Sequence, residues 1–395
     1  MKLVIYTHDW LPLVGGIQTF YRALASRLSE RSEDNRREHI EVTLVTQTPA
    51  KGMDDSQFSF RVVRRPTLRE LIGIIRSADV VQVAGSALVP LVVASLCRKP
   101  VSVEHHGYQA VCPNGLLVYW PDRQICPGHF MAGSYRQCIR CNSGSQGTAK
   151  SMANLMLTFV RRWLADNASI NLLPSWHIHR RVSLRRSKVV YHGVPDEISP
   201  GGKSCVEKEA KIHQFAFVGR IVWEKGLAVL LQAAHQLQAK GYDFRLTIVG
   251  DGLERPRLEK LADDLGLKSR TEFLGWVPNE LISSLLADSI AIVMPSIWED
   301  VAPVVAIEHM MQGHLLIVSD VGGLGELVDG VGLKFPVGNA TALEACMREV
   351  LDRPALSVEL GRNAKQYAKK AFTEKRCVED HCNVYEALIS GTQIT

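Results

Sequence analysis

Two carboxylates and two cations stand out in the C-terminal half of the 395-residue sequence. Asp300 and Glu308 are separated by seven residues, and Arg220 and Lys225 follow an apolar run. Carboxylates can accept hydrogen bonds from the vicinal hydroxyls of a sugar. A guanidinium holds phosphate through paired donors, and an ammonium adds a compact positive charge. These residue types together predict a pocket for a phosphorylated sugar or a nucleotide.

The elements that carry these residues alternate between short buried strands and helices. The apolar run 290–294 has the length of a buried strand, and Pro295 ends it. Pro303 suits the first turn of a helix, where a missing N–H costs nothing. A second buried strand at 315–319 precedes a turn at Gly322-Gly323. Because free N–H groups at a helix N-terminus attract anions, these turns predict an anion site.

The pattern from Asp300 to Glu308 resembles the E-x7-E signature of the retaining glycosyltransferases of family 4, which have the GT-B fold. Glu299 precedes Asp300 and could take the role of the first acid with a one-residue slip. The run Gly219-Arg220, followed by Lys225-Gly226, also matches this family. The resemblance implies a nucleoside-diphosphate sugar of UDP or GDP type as donor and retention of anomeric configuration. The sequence holds no Asp-x-Asp pair, which fits a site without a catalytic metal or other cofactor.

The resemblance assigns roles to individual residues. Arg220 and Lys225 would hold the donor diphosphate, Glu308 the ribose, and Asp300 or Glu299 the sugar. His106 matches the family's strand-end histidine, since Cys112 follows six positions later, although Gly107 stands where many members have Asp. Further residues would approach the donor mainly through their backbone, namely Gly15, Gly16, Gly219, Gly250, Gly275, Val277, Glu299, Val301, Ala302, Pro303, Gly322 and Gly323.

The length and the strand-helix alternation predict two α/β domains with parallel sheets. The resemblance makes this the GT-B fold, with two facing Rossmann-like domains and an interdomain cleft. We expect an acceptor-binding domain at 1–195, a linker at 196–211 and a nucleotide-sugar-binding domain at 212–372. The terminal helix within 373–395 would cross back to the first domain. A Cys-containing insertion would occupy about 107–145.

Four of the nine cysteines fall within this insertion, which shows little regular periodicity. Cys138 and Cys141 form a C-x2-C pair, and Cys112 and Cys126 precede it. Four thiolates would satisfy a closed, structural zinc site. The alternative is four reduced cysteines packed in a loop. The spacing does not decide between the two.

The charge of the chain is unevenly distributed. Residues 1–200 hold 25 Lys or Arg against 15 Asp or Glu, a balance of +10, and the remainder holds 21 against 26, or −5. The basic half could meet an anionic membrane or a lipid-linked acceptor, and solvated surface charge explains it equally well. Helix 150–165 could likewise lie on a membrane or face the core. No nucleic-acid-binding module is present.

The absence of a long apolar run and of a signal-peptide pattern predicts a cytoplasmic enzyme, which could be peripheral on the inner face of the membrane. The favoured function is a hexosyltransferase-type reaction onto a glycan or lipid-linked acceptor, in polysaccharide or glycolipid biosynthesis. One alternative is a nucleotide-sugar epimerase or phosphorylase on the same fold. Another is a non-catalytic nucleotide-sugar-binding protein.

Overall fold

The computed structural model describes residues 1–13, 15–30, 40–195 and 213–392. The predicted linker at 196–211 lies outside these residues. The chain divides into two compact units. The first contains the described residues up to Gly193 together with those from Glu374 onward, and the second runs from Val194 to Thr373.

The described part of the first unit contains a seven-stranded sheet in which every neighbouring pair is parallel. Its order is β3-β2-β1-β4-β5-β8-β9, and a separate antiparallel hairpin is formed by β6 and β7. The strands are β1 (Lys2–Thr7), β2 (Glu41–Thr46), β3 (Arg61–Arg64), β4 (Val80–Ala84), β5 (Val101–Glu104), β6 (Val118–Tyr119), β7 (Gln124–Ile125), β8 (Ile170–Leu173) and β9 (Ser187–Val189).

Helices cover both faces of this sheet. The described helices of the first unit are α1 (Gly16–Ser29), α2 (Leu68–Ser77), α3 (Leu88–Leu96), α4 (Tyr135–Gln146), α5 (Thr148–Asn167), α6 (Trp176–Val182) and α14 (Glu374–Ser390). Successive side chains of a strand point to opposite faces. Accordingly, Leu3 and Ile5 of β1 share a core with α1 and α14, whereas Val4 and Tyr6 share one with α2, α3 and α5.

The described part of the second unit contains a six-stranded parallel sheet of order β12-β11-β10-β13-β14-β15. Its strands are β10 (His213–Val218), β11 (Phe244–Val249), β12 (Thr271–Gly275), β13 (Ser289–Met294), β14 (Leu316–Ser319) and β15 (Leu333–Phe335). Its helices are α7 (Leu227–Ala239), α8 (Arg255–Asp264), α9 (Asn279–Leu285), α10 (Val304–Gln312), α11 (Gly322–Leu327), α12 (Ala340–Asp352) and α13 (Pro354–Ala371).

The structure confirms the predicted alternation of strands and helices. The strand predicted at 290–294 is β13, and α10 ends at Gly313, which adopts a φ of 91° that favours glycine. The insertion at 107–145 is more regular than predicted, because it contains the hairpin and α4. Cys138 and Cys141 therefore lie three residues apart on a helix, where the sequence predicts a loop.

Candidate active site

The predicted phosphate-binding cations both follow one strand of the second unit, and a predicted acid follows the neighbouring strand. In the order β12-β11-β10-β13-β14-β15, the chain moves outward in one direction from β10 and in the other from β13. Ligands bind at such a switch point, beyond the carboxyl ends of the strands. Arg220 and Lys225 follow β10, and Asp300 follows β13.

Lys225 and Asp300 are in direct contact. The Lys225 ammonium donates to Asp300 Oδ1 at 2.9 Å and to Oδ2 at 2.7 Å. Ser296 Oγ donates to the same Oδ2 at 2.8 Å. The side chain of Lys225 is 16% exposed and that of Asp300 is 8% exposed, so the pair is largely shielded from water. The sequence assigns the two residues to different parts of the donor, and the structure joins them in one ion pair.

The loop before this pair is fixed by a close approach of two backbone segments. Lys225 ends the 3₁₀ turn Trp223–Lys225, and Gly226 follows with a φ of 68°. A Cβ atom on Gly226 would lie 1.9 Å from the carbonyl oxygen of Pro295. Ile297 N also donates to the Glu224 carbonyl at 3.0 Å. Glycine is therefore required at this point for the ends of β10 and β13 to meet.

A second close approach joins the Asp300 loop to the start of α11. Gly323 N donates to the Asp300 carbonyl at 2.6 Å. Gly322 has a φ of 63°, and a Cβ atom there would lie 2.5 Å from the same carbonyl oxygen. The predicted residues on this loop are also at least partly shielded, since Glu299 and Val301 are buried and Ala302 and Pro303 are half-buried.

Three glycines at the ends of neighbouring strands pack just as closely. A Cβ atom on Gly250 would lie 1.9 Å from the Gly219 carbonyl oxygen, and Gly250 N donates to the Gly275 carbonyl at 2.7 Å. The predicted residues Gly219, Gly250 and Gly275 are thus adjacent through their backbones. Val277, two residues beyond Gly275, is half-buried.

Glu308 and Arg220 differ from the paired residues in their surroundings. Glu308 lies in α10, is half-buried and has no hydrogen bond or ion pair within the described part of the chain. Burial raises the pKa of its carboxyl from 4.5 to about 7. Arg220 has a side chain 71% exposed, and one guanidinium nitrogen is 3.8 Å from Glu224. An exposed guanidinium and a half-buried acid are both able to contact a ligand.

In the first unit, His106 follows β5 and contacts a buried polar cluster. Its Nε2 lies 3.1 Å from Tyr21 Oη, and the Tyr21 phenol is 2.9 Å from Glu104 Oε2. Gln82 Nε2 also donates to Glu104 at 2.8 Å. His192 and His381 approach the same carboxylate at 3.6 and 3.5 Å. Glu104 is 1% exposed, so this carboxylate depends on its partners for charge compensation.

The charges within this cluster follow from the contacts. Burial raises the pKa of Glu104, but the charge of His381 and hydrogen bonds from His192 and His381 outweigh it, so that pKa lies well below its ordinary range. Burial lowers the pKa of His381, whereas Cys377 and Glu104 raise it well above its ordinary value overall. Glu104 is therefore an anion and His381 a cation.

The same contacts decide which nitrogen of His106 carries its proton. Burial lowers the pKa of His106 to about 3, so the ring is neutral and has one N–H. Burial raises the pKa of Tyr21, which keeps the phenol protonated, and Glu104 accepts its one proton. Tyr21 Oη can then only accept from His106 Nε2–H. His106 Nδ1 is left as a bare acceptor, and it has no hydrogen-bond partner in the described part of the chain.

The remaining sequence-predicted site residues lie elsewhere. Gly15 precedes α1 and Gly16 begins it. Cys112, Cys126, Cys138 and Cys141 are all buried. Burial raises the pKa of the Cys138 thiol to about 12 and that of Cys112 to about 11, which favours neutral thiols.

The geometry of the cysteines bears on the predicted zinc site. Among the described residues, Glu104, His106 and His192 form a group of potential metal ligands whose ligand atoms all lie within 4.8 Å of one another. The four cysteines, all of them described, do not form such a group. Structural zinc on the cysteines stays a prediction, which elemental analysis of the purified protein can decide.

Sequence reasoning missed the residues around Glu104. The available signal was Glu104 itself, a lone acid at the end of an apolar strand. A buried charge needs partners, so this acid indicates that polar residues lie around it. Those partners come from α1, from β4, from the turn at His192 and from α14. Nothing in their positions along the chain indicates that they meet.

Two sheets of Rossmann type with helices on both faces, and site residues at the strand ends, define the GT-B class of fold. Solved structures have the same fold along nearly the whole chain. A sucrose-phosphate synthase from Thermosynechococcus elongatus has a TM-score of 0.71 at 18% identity, covering 99% of this chain and 100% of that one. Anabaena HepE in complex with UDP-glucose has a TM-score of 0.72 at 17% identity, covering 98% and 100%.

Sequence comparisons indicate which type of enzyme carries this fold. Residues 206–370 match the family described as Glycosyl transferases group 1. Alpha-D-kanosaminyltransferase of Streptomyces kanamyceticus is 34% identical over 174 residues, covering 44% of this chain and 45% of that protein. 2-Deoxystreptamine glucosyltransferase of the same organism is 29% identical over 224 residues, covering 53% and 58%. The chain thus spans about half the length of these curated relatives, and the matches support a glycosyltransferase.

Proposed function

We propose that this protein is a retaining glycosyltransferase that uses a nucleoside-diphosphate sugar of UDP or GDP type. The observation that carries the proposal is the Lys225–Asp300 pair at the switch point of the second unit's sheet. Residues of that unit match a glycosyltransferase family, and Arg220 follows the same strand as Lys225. Structural neighbours that contain UDP or UDP-glucose include Anabaena HepE. The acceptor would be a glycan or a lipid-linked molecule.

The roles of the side chains follow from their charges. Cleavage of the bond between the anomeric carbon and the diphosphate oxygen leaves negative charge on the diphosphate. Arg220 and Lys225 would stabilise that charge, as preorganised cations do for a developing anion. Lys225 gives two of its three N–H donors to Asp300, which leaves one for a phosphate oxygen.

The acids would orient the donor. Glu308 has a carboxylate without partners in the described chain and would accept hydrogen bonds from the ribose hydroxyls. Asp300 or Glu299 would contact the transferred sugar. In the transfer itself, the acceptor oxygen would attack the anomeric carbon from the side of the leaving group, and its proton would pass to the departing phosphate oxygen. Configuration is then retained without a covalent enzyme intermediate.

The first unit would bind the acceptor, and the second unit the donor, in line with the predicted ranges 1–195 and 212–372. His106, a neutral imidazole whose Nδ1 is shielded from solvent in this structure, would lie on the acceptor side of the site. We further propose that catalysis needs no metal ion, because two side-chain cations are available for the diphosphate. Among the described helices, none is both long and apolar enough to cross a membrane. We propose a cytoplasmic location, with peripheral attachment to a membrane surface.

Two experiments test this proposal in sequence. Thermal unfolding would be measured with UDP, GDP, ADP and their common sugar conjugates, since a ligand at 100 times its Kd stabilises by about 2.7 kcal/mol. The stabilising donor would then be incubated with glycan and lipid-linked acceptors, with EDTA present, and products analysed by mass spectrometry and NMR.

The results separate the competing functions. A new glycosidic bond with the donor's anomeric configuration supports the proposal. Incorporation of solvent deuterium into the donor without an acceptor would indicate an epimerase. Binding without turnover would indicate a nucleotide-sugar-binding protein, and no binding to any nucleotide would contradict the proposed donor class.

A further inference from the structure

Helices α3 and α5 cover the same face of the first unit's sheet. They pack against each other. Leu91 and Ala94 of α3 share one core cluster with Leu164 of α5. The opposite sides of the two helices therefore face the solvent together, on the same side of the sheet.

Those solvent-facing sides carry large apolar residues at helical spacing. We call this surface the α3–α5 face; it consists of Val89, Val92 and Leu96 on α3, and Met152, Met156, Val160 and Trp163 on α5. Their exposures run from 41% at Val92 to 79% at Leu96, and Trp163 is 62% exposed. Apolar side chains in a contiguous exposed patch mark an interaction site, whereas single ones do not.

The two chain segments that carry this face, 80–103 and 123–165, contain charge of one sign only. Residues 80–103 contain two Lys or Arg, residues 123–165 contain six, and neither segment contains an Asp or Glu. Arg98 and Lys150 are exposed at the ends of α3 and α5. The nearest acid along α5 is Asp166, and it is already paired with Arg162 at 2.8 Å.

We propose that the α3–α5 face docks on an anionic membrane surface. The apolar side chains would enter the boundary between headgroups and acyl chains, and Trp163 would lie at that boundary. The surrounding Lys and Arg would contact lipid phosphates, each contributing about 1 kcal/mol near the surface. A second copy of the chain fits less well, because a two-fold interface would bring two positively charged rims together.

The inference rests on the peripheral attachment proposed above, for which it names a surface on the first unit, and it does not depend on the proposed reaction. Purified full-length protein would be sedimented with vesicles of phosphatidylcholine alone and with vesicles that also contain phosphatidylglycerol. We expect at least roughly tenfold tighter binding to the anionic vesicles, weakened by salt because exposed charges are screened.

Two sets of variants locate the contact. The double variant Met156→Ser, Trp163→Ser should bind anionic vesicles roughly tenfold or more weakly, since burying one such side chain accounts for about a tenfold factor. The double variant Arg98→Glu, Lys150→Glu should lose most of the preference for anionic vesicles. Ile389→Ser is the matched control, because Ile389 is 51% exposed on α14, which covers the other face of the sheet, and binding should be unchanged.

Several results would overturn the proposal. These are equal binding to neutral and anionic vesicles, no sedimentation with either, or equal loss in the Ile389→Ser control. Self-association in analytical ultracentrifugation that disappears in the Met156→Ser, Trp163→Ser variant would assign the face to a second copy of the chain. Nucleotide binding measured on the same samples reports separately on the proposed function.

Discussion

The ammonium of Lys225 lies 2.9 and 2.7 Å from the two carboxylate oxygens of Asp300, across 75 residues of sequence. This ion pair ties the turn after β10 to the loop after β13. In the proposed reaction it would hold a cation beside the leaving diphosphate, and it also compensates a buried acid. The same pair would therefore serve both stability and the proposed reaction, and mutation can separate the two contributions.

Lys225→Ala should lower turnover roughly 100-fold or more, because one preorganised cation is lost from the developing charge. It should also destabilise the protein by about 3–5 kcal/mol, because Asp300 is left buried without its partner. The measurements are kcat with saturating donor and unfolding in urea. Adding Asp300→Asn should restore much of the stability and none of the turnover. Activity within a few-fold of the original protein would remove Lys225 from the proposed mechanism.

In Tyr21→Phe, the proton of the neutral His106 ring should no longer be confined to Nε2, since the oxygen that accepts from that N–H is removed. Proton–nitrogen correlation spectra of histidine-labelled protein distinguish the two tautomers, with His106→Gln for assignment. We expect the spectrum of the original protein to show the proton on Nε2 and that of Tyr21→Phe to show a mixture, with a lower kcat.

Tyr385→Phe is the matched control for this experiment. Its phenol is also fully buried, and the oxygen has no hydrogen-bond partner among the described residues. The variant should leave the His106 signals in place. A proton on Nδ1 in the original protein, or identical His106 signals in Tyr21→Phe, would contradict the assigned role of Tyr21.

Nucleotide affinity should rise with pH up to about 7 and level off above it. Burial raises the pKa of Glu308 to about 7, and only the carboxylate form accepts two ribose hydroxyls. Below that value affinity should fall by up to about tenfold per pH unit. Titration calorimetry with the nucleotide sugar selected in the thermal screen would measure this, because its esterified diphosphate does not titrate in this range. In Glu308→Gln the pH dependence should vanish and the binding should be weak throughout.

Glu308→Gln should also make the protein more stable at pH 8. The pKa of Glu308 is higher in the folded state than its ordinary value of 4.5, so its contribution to stability is fully present below 4.5 and is lost as pH rises through about 7. Removing the buried charge should therefore raise the free energy of unfolding at pH 8 by up to roughly 3 kcal/mol. An unchanged pH profile of stability in Glu308→Gln would show that burial does not shift this carboxyl.

Gly226→Ala should disrupt the second unit, because a Cβ atom there would lie 1.9 Å from the Pro295 carbonyl oxygen. Gly241→Ala is the control, since Gly241 has a φ of 87° and a Cβ atom added to it would meet no described atom within 4 Å. We expect the control to cost about 1–2 kcal/mol from backbone strain alone. The Gly226 variant should cost at least about 4 kcal/mol. Similar urea midpoints for the two variants would mean that the turn can move.

Much of the fold could be predicted from the sequence because both sheets are parallel and covered on both faces. Such strands appear as short continuous apolar runs, as in 290–294 and 315–318. Gly313 and Pro303 marked the ends of α10 to within a residue, because each has a local conformational reason to be there. The segment 107–145 was less predictable, since α4 has polar and Cys-containing turns with weak periodicity.

The candidate site was only partly predictable, and the limit is distance along the chain. Residue types, spacing and the family resemblance brought forward Arg220, Lys225, Asp300 and Glu308. No local signal links Glu104 to His381, which are 277 residues apart and meet only through the tertiary fold. The pairing of Lys225 with Asp300 likewise depends on the order of strands, which a pattern of residues does not contain.

Helix α14 affects the order in which the two units can fold during synthesis. The unit that contains Met1 also requires residues from Glu374 onward, including His381 beside Glu104. During synthesis the ribosome releases those residues after all of the second unit, and domains generally fold as units as they emerge. The second unit can thus complete its fold first, while the first unit still lacks His381, the cation beside Glu104. The unit whose synthesis begins first is therefore the one that completes its fold last.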